Sequence, residues 1–514
     1  MHRTKILIMA AALLFMADGV AHGQSKDFKL GQWTEIHHSI VKELNRSYVD
    51  TLPVDKVFRA GIDAMLEQLD PYTVYIPEEE NEDLQMMLSK TYGGIGAIIH
   101  KKKEDNVIIN EPYFGSPAHK NGLQCGDEIL EIDGLPTKGL ETKESSDRMK
   151  GKPGTKVVFK VKKVRTGDTL DVPIVRERIH FPDIEYAGML DDTTGYILQS
   201  GFTEGVALQL KDRIMDLKSK GMKKLVLDLR GNGGGLMSEA VNIISLFVPK
   251  GSLAVSSKGM TEDSRREYRT LSEPIDTEIP VIVMVDGGSA SASEIVSGGL
   301  QDLKRATIMG KTTFGKGLVQ SIRPLPYNGQ MKITTAKYYT PSGRCVQGVG
   351  VKPDVEIDIP QYSRLVYSLV LGGVIDQYVL KFAREHDSIP EAEDYHFSDA
   401  DFEDFVSFAK TQDFDYRSSA KATFDKMKEE LEKDGLAEVM SGELAALEKA
   451  LEMDKERFIR LKKDEIIPFI EEEIVTRYHF QEAGVKIRLR YDKQLKEALK
   501  KQASSRPTAK SAVE

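Results

Sequence analysis

The stretch from Val281 to Gln320, VIVMVDGGSASASEIVSGGLQDLKRATIMGKTTFGKGLVQ, holds residue types that could carry out acyl transfer. Its apolar, β-branched opening is the kind of run that fills a buried strand. The run breaks at Asp286-Gly287-Gly288 and gives way to a serine-rich turn. From Glu294 onward Ile295, Val296 and Leu300 recur at near-helical spacing, beside the small residues Ser297, Gly298 and Gly299, which permit close packing. A serine at the mouth of a strand-to-helix turn presents its hydroxyl beside unpaired helix amides, where a developing negative charge is stabilised. That is the setting an acyl-transfer nucleophile needs.

A serine is a poor nucleophile until a base removes its proton. No histidine occurs between His180 and His386, so a Ser-His-Asp triad built wholly from this segment is excluded. The alternative base is Lys316 in TFGKGLVQ, whose flanking glycines let the backbone approach another segment closely. An amine with an ordinary pKa of about 10.4 must titrate near ~7 to serve, and desolvation against apolar walls can supply that shift. Gln320 lies an even number of residues further on. If KGLVQSI is a strand, it shares a face with Lys316 and can hold the amine by a side-chain hydrogen bond. Ser-Ala repeats alone are often plain tight turns, and a glycine-flanked lysine is more often a solvated charge. The two together are far more specific.

GSASASEIVSGGLQD followed by TFGKGLVQ resembles the carboxy-terminal processing peptidases, also called tail-specific proteases, which use a serine-lysine dyad. The resemblance spans most of the chain from about residue 30 to 360. It implies Ser291 as nucleophile, Lys316 as base and Gln320 as the residue that orients the lysine, with an acyl-enzyme mechanism and neither metal nor organic cofactor. It also implies a multidomain α/β and α+β architecture. A crotonase-like mixed β/α peptidase core would carry an inserted PDZ-like domain, an N-terminal helical cap and a C-terminal helical region.

A second glycine-rich turn ends the strand-like KKLVLDLRGNGGGL. It lacks the lysine of GxxxxGK[ST] and the last glycine of GxGxxG, which argues against a phosphate loop. Oxyanion stabilisation is the better use, because glycine lets a backbone amide approach a substrate carbonyl. In the resembled family one donor comes from this loop and the other from the residue after the nucleophile, which here implies Gly234 or Gly235, with Gly235 preferred, and Ala292. Asp228 and Arg230 are expected to pair locally.

These elements sit in a chain of 514 residues, too long for one core. Hydrophobic content of 40% and charged content of 29% fit a globular protein, and a net charge of -9 gives no reason to expect nucleic acid as a partner. Residues 1–23 read as a secretory signal: a basic start at His2, Arg3 and Lys5, an apolar stretch from Ile6 to Met16, and small residues at Ala21 and Gly23. The mature chain is therefore expected to be exported and periplasmic, free or associated with the membrane. Cys125 and Cys345 fall in different domains and nothing places them together.

Residues 24–90 form an N-terminal helical region, with apolar stripes at Ile36, Ile40, Val41 and Leu44 and at Phe58, Ile62, Met65, Leu66 and Leu69, closed by the turn Asp70-Pro71-Tyr72. His37 and His38 lack a second ligand pair and read as surface residues. Residues 91–178 change to short glycine-punctuated strands whose order resembles a PDZ domain. Its carboxylate-binding loop would be Tyr92, Gly94, Ile95, Gly96 and Ala97, with free amides for a terminal carboxylate and a strand edge for an extended peptide. Residues 179–360 alternate strand and helix as the peptidase core, and residues 361–503 form a charged helical region. Its apolar stripe must bury against the core, a second copy of the chain or a partner protein such as an adaptor. Residues 504–514 read as a disordered tail.

The sum is an exported serine endopeptidase that grips protein substrates by their C-termini. Two rivals are a non-enzymatic peptide-binding scaffold and a small-molecule hydrolase or ligand-binding protein of crotonase-like fold. The intact Ser291, Lys316 and Gln320 argue against the first, and the peptide-binding module against the second.

Overall fold

The computed structural model describes residues 26–100, 105–414, 419–451 and 455–504. The expected signal at 1–23 and residues 505–514 of the expected tail lie outside them. The chain divides after Tyr75 into two compact units. The first holds helices Lys26–Ser47 and Val54–Glu67. Asp70 closes the second helix as expected, accepting the N–H groups of Tyr72 and Thr73 at 2.8 and 2.9 Å. The stripe of the first helix is not buried: Ile36 and Ile40 are exposed, as is Trp33 at 66%. A periodic stripe fixes which face is apolar, not what covers it.

In the second unit, six strands form the core sheet in the order Ile184–Met189, Thr194–Gln199, Lys224–Asp228, Val281–Val285, Ala306–Gly310, Val355–Glu356. The first pair is antiparallel and the rest are parallel. All five residues of VIVMV are buried, because a parallel sheet covered on both faces demands a continuous apolar strand. On one face pack helices Val206–Ser219, Met237–Ser245 and Ala292–Asp302. Gly299 permits the approach of the last two, since a Cβ there would lie 2.8 Å from Ile244 Cδ1. The other face, with Tyr196, Val226, Ile282 and Met284, packs against Val485, Leu495 and Ala498 of the C-terminal helices. That part of the C-terminal apolar stripe therefore covers the core sheet. Arg230 strengthens the same junction: it pairs locally with Asp228, as expected, and reaches Asp492 at 2.6 Å and Gln494 at 2.8 Å.

A separate antiparallel sheet, Ala97–His100, Val107–Pro112, Glu128–Ile132, Lys156–Lys162 and Thr169–Val175, encloses the PDZ-like core around Ile109, Ile129, Val157 and Phe159. Cys125 and Cys345 are both free thiols. Cys125 Sγ accepts Arg477 Nε at 3.1 Å, and the nearly enclosed Arg477 also binds Asn110 at 2.6 Å and Glu473 at 2.6 Å. The helix Lys463–Tyr491 kinks at Phe480 (φ 67°, ψ 177°), in backbone space that is essentially glycine's. There the Phe480 ring meets Phe114 and His119 of the PDZ-like domain, at 5.2 and 5.3 Å.

Beside this contact Glu111 is buried, with Oε2 hydrogen-bonded by Gln481 and Oε1 without a partner among the described residues. Burial pushes its carboxyl up to about 7, against the Gln481 bond and the Arg477 charge that pull it down. The folded chain thus holds this proton more tightly than the unfolded one. Its contribution to stability is complete below the ordinary glutamate pKa of about 4.3 and is lost as pH rises through the folded value, by at most about 4 kcal/mol. Glu111→Gln is expected to flatten the pH dependence of the calorimetric midpoint between about pH 5 and 8. A slope identical to that of the parent would contradict this account of Glu111.

Candidate functional site

Three serines share the turn after Val285, and burial separates them. Ser289 and Ser293 are fully buried, and their hydroxyls donate to Leu229 O at 2.7 Å and Asn232 O at 2.8 Å. Ser291 alone of the three is partly exposed. It caps helix Ala292–Asp302 with φ 56° and ψ -112°, a conformation that costs a non-glycine residue about 1–3 kcal/mol and persists only where its surroundings impose it.

Those surroundings are the GNGGG turn. Asn232, fully buried, accepts Ala290 N–H at 3.0 Å on its carbonyl and donates its side-chain amide to Gln199 O at 2.7 Å. Asp286 Oδ1 accepts the N–H groups of Gly231 and Gly288, each at 2.9 Å. The two turns are so close that a Cβ on Gly234 would lie 2.8 Å from both Ala292 N and Ser291 Cβ. The Gly234 N–H is engaged by Asn232 Oδ1 at 2.9 Å. Among the described residues no acceptor meets the N–H of Gly235, and that of Ala292 opens a helix and has no intrahelical partner. Of the two glycines expected to donate, Gly234 is therefore engaged and Gly235 is not.

Lys316 is brought to Ser291 by two buried side chains. Glu294, one turn into the helix, accepts the N–H groups of both Ser291 and Lys316 on Oε2, each at 2.8 Å. Its Oε1 accepts Gly315 N–H at 2.7 Å and the Thr313 hydroxyl at 2.6 Å. Tyr338 donates its hydroxyl between the carbonyls of Ser291 and Lys316, at 3.0 and 2.7 Å. Burial, with the Glu294 charge adding to it, raises the Tyr338 phenol well above its ordinary value, so it remains a donor. The glycines beside Lys316 act as expected: a Cβ on Gly317 would lie 2.6 Å from Gln347 N. Lys316 itself lies before the strand Leu318–Pro324, so strand alternation does not set its relation to Gln320. Gln320 is in the strand and donates its side-chain N–H to Thr334 Oγ1 at 3.4 Å.

Residues 193–357 match peptidase family S41, residues 93–174 a PDZ domain, and residues 365–501 the C-terminal helical domain of probable PDZ-proteases. The carboxy-terminal-processing protease of Bartonella bacilliformis is 36% identical over 375 residues, 71% of this chain and 84% of that relative. The chain belongs to the carboxy-terminal-processing peptidases of family S41. A probable CtpA-like serine protease of Staphylococcus aureus is 37% identical over 330 residues, 64% of this chain and 65% of that relative. Among solved structures, the photosystem II D1 C-terminal processing protease is 29% identical, with 62% of this chain and 86% of that one covered and a TM-score of 0.38.

In this S41 peptidase the PDZ loop runs from the strand Thr91–Gly94, which carries Tyr92 and Gly94, through buried Ile95 and Gly96 (φ 74°) to Ala97 at the start of the outermost sheet strand. The carbonyls turn inward: Ile95 O accepts Ala118 N–H at 2.8 Å and Gly96 O accepts the Ser116 hydroxyl at 2.7 Å. Tyr92 stacks on Phe181 at 5.5 Å, and burial pushes its phenol up to about 12, opposed by a hydrogen bond from the Gly96 N–H. His37 and His38 are exposed, and the described residues contain no cluster fit to hold a metal.

Sequence reasoning missed Asn232, Glu294 and Tyr338. Ser291-Ala-Ser-Glu294 fits the S-x-x-E capping pattern and could have exposed Glu294. Replacing it by Gln puts an N–H₂ against donor amides, leaving buried groups unpaired at about 1–3 kcal/mol. Glu294→Gln is expected to lower the unfolding midpoint and to hasten amide exchange at Gly315 and Lys316 above all. Unchanged exchange there would show that the carboxylate does not hold this loop.

Proposed function

We propose that the chain is an exported, periplasmic serine endopeptidase that takes proteins by their C-terminal tails and cuts them with a Ser291–Lys316 dyad. The observation that carries this reading is the double brace of Glu294 and Tyr338 across those two residues, beside the one partly exposed serine of its turn. Supporting it are family membership and the two amides at Gly235 and Ala292.

The neutral Lys316 amine takes the proton of the Ser291 hydroxyl as Oγ bonds to the scissile carbonyl carbon. The carbonyl oxygen gains the electron pair and is held by the N–H groups of Gly235 and Ala292. The Lys316 ammonium then returns its proton to the departing amine nitrogen as the C–N bond breaks, leaving an ester on Ser291. Water gives a proton to the same amine as it attacks the ester carbon. The ammonium returns that proton to Ser291 Oγ as the acyl–Oγ bond breaks, freeing the serine and a carboxylic acid that ionises in water. Gln320 orients the amine through its side-chain carbonyl. The substrate tail adds to the strand Ala97–His100, with its carboxylate at Ile95, Gly96 and Ala97. The helical region is the surface for an adaptor or a second copy of the chain.

The purified chain is expected to cleave an unfolded polypeptide, and Ser291→Ala to reduce cleavage by at least about a thousandfold. Binding without cleavage by the parent would favour the scaffold. A peptide with a free C-terminus should be cut faster than its amidated twin, and equal rates would rule against tail reading.

A further inference from the structure

The PDZ-like domain leaves the core at Lys90 and rejoins it at Phe181, through a neck in which Thr91–Gly94 pairs with Glu177–His180. Phe181 N–H donates to Lys90 O at 2.9 Å, closing the neck. At its core end stands Asp183, fully buried, with Oδ1 3.1 Å from Lys90 Nζ. Its Oδ2 accepts the Thr203 N–H at 3.1 Å and the Thr203 hydroxyl. Lys90 Nζ also donates to Ser200 Oγ at 3.0 Å, and Ser200 N–H to Asp183 O at 2.7 Å. Both ends of the segment Ser200–Thr203 are thus tied to one ion pair. Between them Gly201 leaves room for it, since a Cβ there would lie 2.6 Å from Lys90 Nζ.

The same segment supports the oxyanion loop. Phe202 forms a parallel bridge with Gly235, and Leu236 N–H donates to Phe202 O at 2.8 Å. The contact is close enough that a Cβ on Gly235 would lie 2.6 Å from Phe202 O. Asn232, which holds the rest of the turn, is anchored one residue earlier, on Gln199 O. Asp183 Oδ1 has no hydrogen-bond partner among the described residues, so the Lys90 charge is what meets it, and a buried carboxylate deprived of its cation is strongly unfavourable. Lys90 is held in the left-handed region, φ 49° and ψ 30°, where the chain enters the neck.

We propose that Lys90 and Asp183 are positioning residues for the Gly235 amide. They form a strut from the PDZ neck through Ser200–Thr203 to the oxyanion loop, and so set how well the Gly235 and Ala292 amides converge on one oxygen. Neither touches the reacting atoms, and the inference rests on the peptidase reading above. Misplacement of a catalytic donor by about 1 Å lowers turnover on the order of a hundredfold.

The test uses the full chain and a short quenched peptide. Lys90→Met keeps the stem and removes the cation, Lys90→Arg restores one, and Ser200→Ala removes a single bond. Lys90→Met is expected to lower kcat roughly tenfold to hundredfold with KM within about twofold, and Lys90→Arg to recover most of the loss. Hydrogen–deuterium exchange, which needs no activity, should quicken at residues 199–204 and 231–236 in Lys90→Met but not in the PDZ strand Lys156–Lys162. Parent-like kcat, a loss confined to KM, or no change in exchange at 231–236 would overturn the inference. Should Lys90→Met not fold, Ser200→Ala decides by the same two readouts, with a smaller expected loss. A parent that cleaves nothing overturns the peptidase reading instead, and the exchange comparison still judges the strut.

Discussion

The buried carboxylate of Glu294 is the interaction on which the site depends. A charge removed from water must be met by donors, and here four arrive from three directions: the Ser291 amide, the Lys316 amide, the Gly315 amide and the Thr313 hydroxyl. The Thr313 hydroxyl is itself fixed by Val351 N–H at 2.6 Å. Two chain segments separated by the helix Ala292–Asp302 and the strand Ala306–Gly310 are thereby held to one anionic centre. Tyr338 repeats the arrangement with opposite polarity, offering one donor to the carbonyls of the same two residues. Amides on one side and carbonyls on the other leave those two backbones little room to separate.

This brace explains how a strained serine is tolerated. The positive φ of Ser291 is imposed from both flanks, by Glu294 on its own N–H and by Asn232 on Ala290 and Ser293. The neighbouring serine hydroxyls are buried and hydrogen-bonded, and the middle serine is the partly exposed one. The glycine turn against it has no side chains to interpose, so its backbone lies close to Ser291 Cβ and to the Ala292 amide. Beneath both turns the parallel sheet, apolar on each face, supplies a rigid floor.

Much of this was legible in the sequence because it is local. The run VIVMV, the break at Asp286-Gly287-Gly288 and the helix that follows are read from composition and period alone, and the glycines around Lys316 announced a close approach. The relation of Lys316 to Gln320 was not legible by strand alternation, since Lys316 lies outside the strand. Tyr338 left no local signal: it reaches the site because Gln330–Tyr339 pairs with Leu318–Pro324, a contact fixed by the sheet and not by the sequence nearby. In the first helix the stripe Ile36, Ile40 was plain and its exposure was not.

We propose that Ser291 is activated by an uncharged Lys316 amine. A fluorophosphonate probe tests it without any knowledge of the substrate, with the site of labelling read by peptide mass spectrometry across a pH series. Labelling is expected at Ser291 alone, rising with pH as the amine loses its proton and nearly abolished in Lys316→Met. Labelling of Ser289 or Ser293, or parent-like labelling of Ser291 in Lys316→Met, would contradict it.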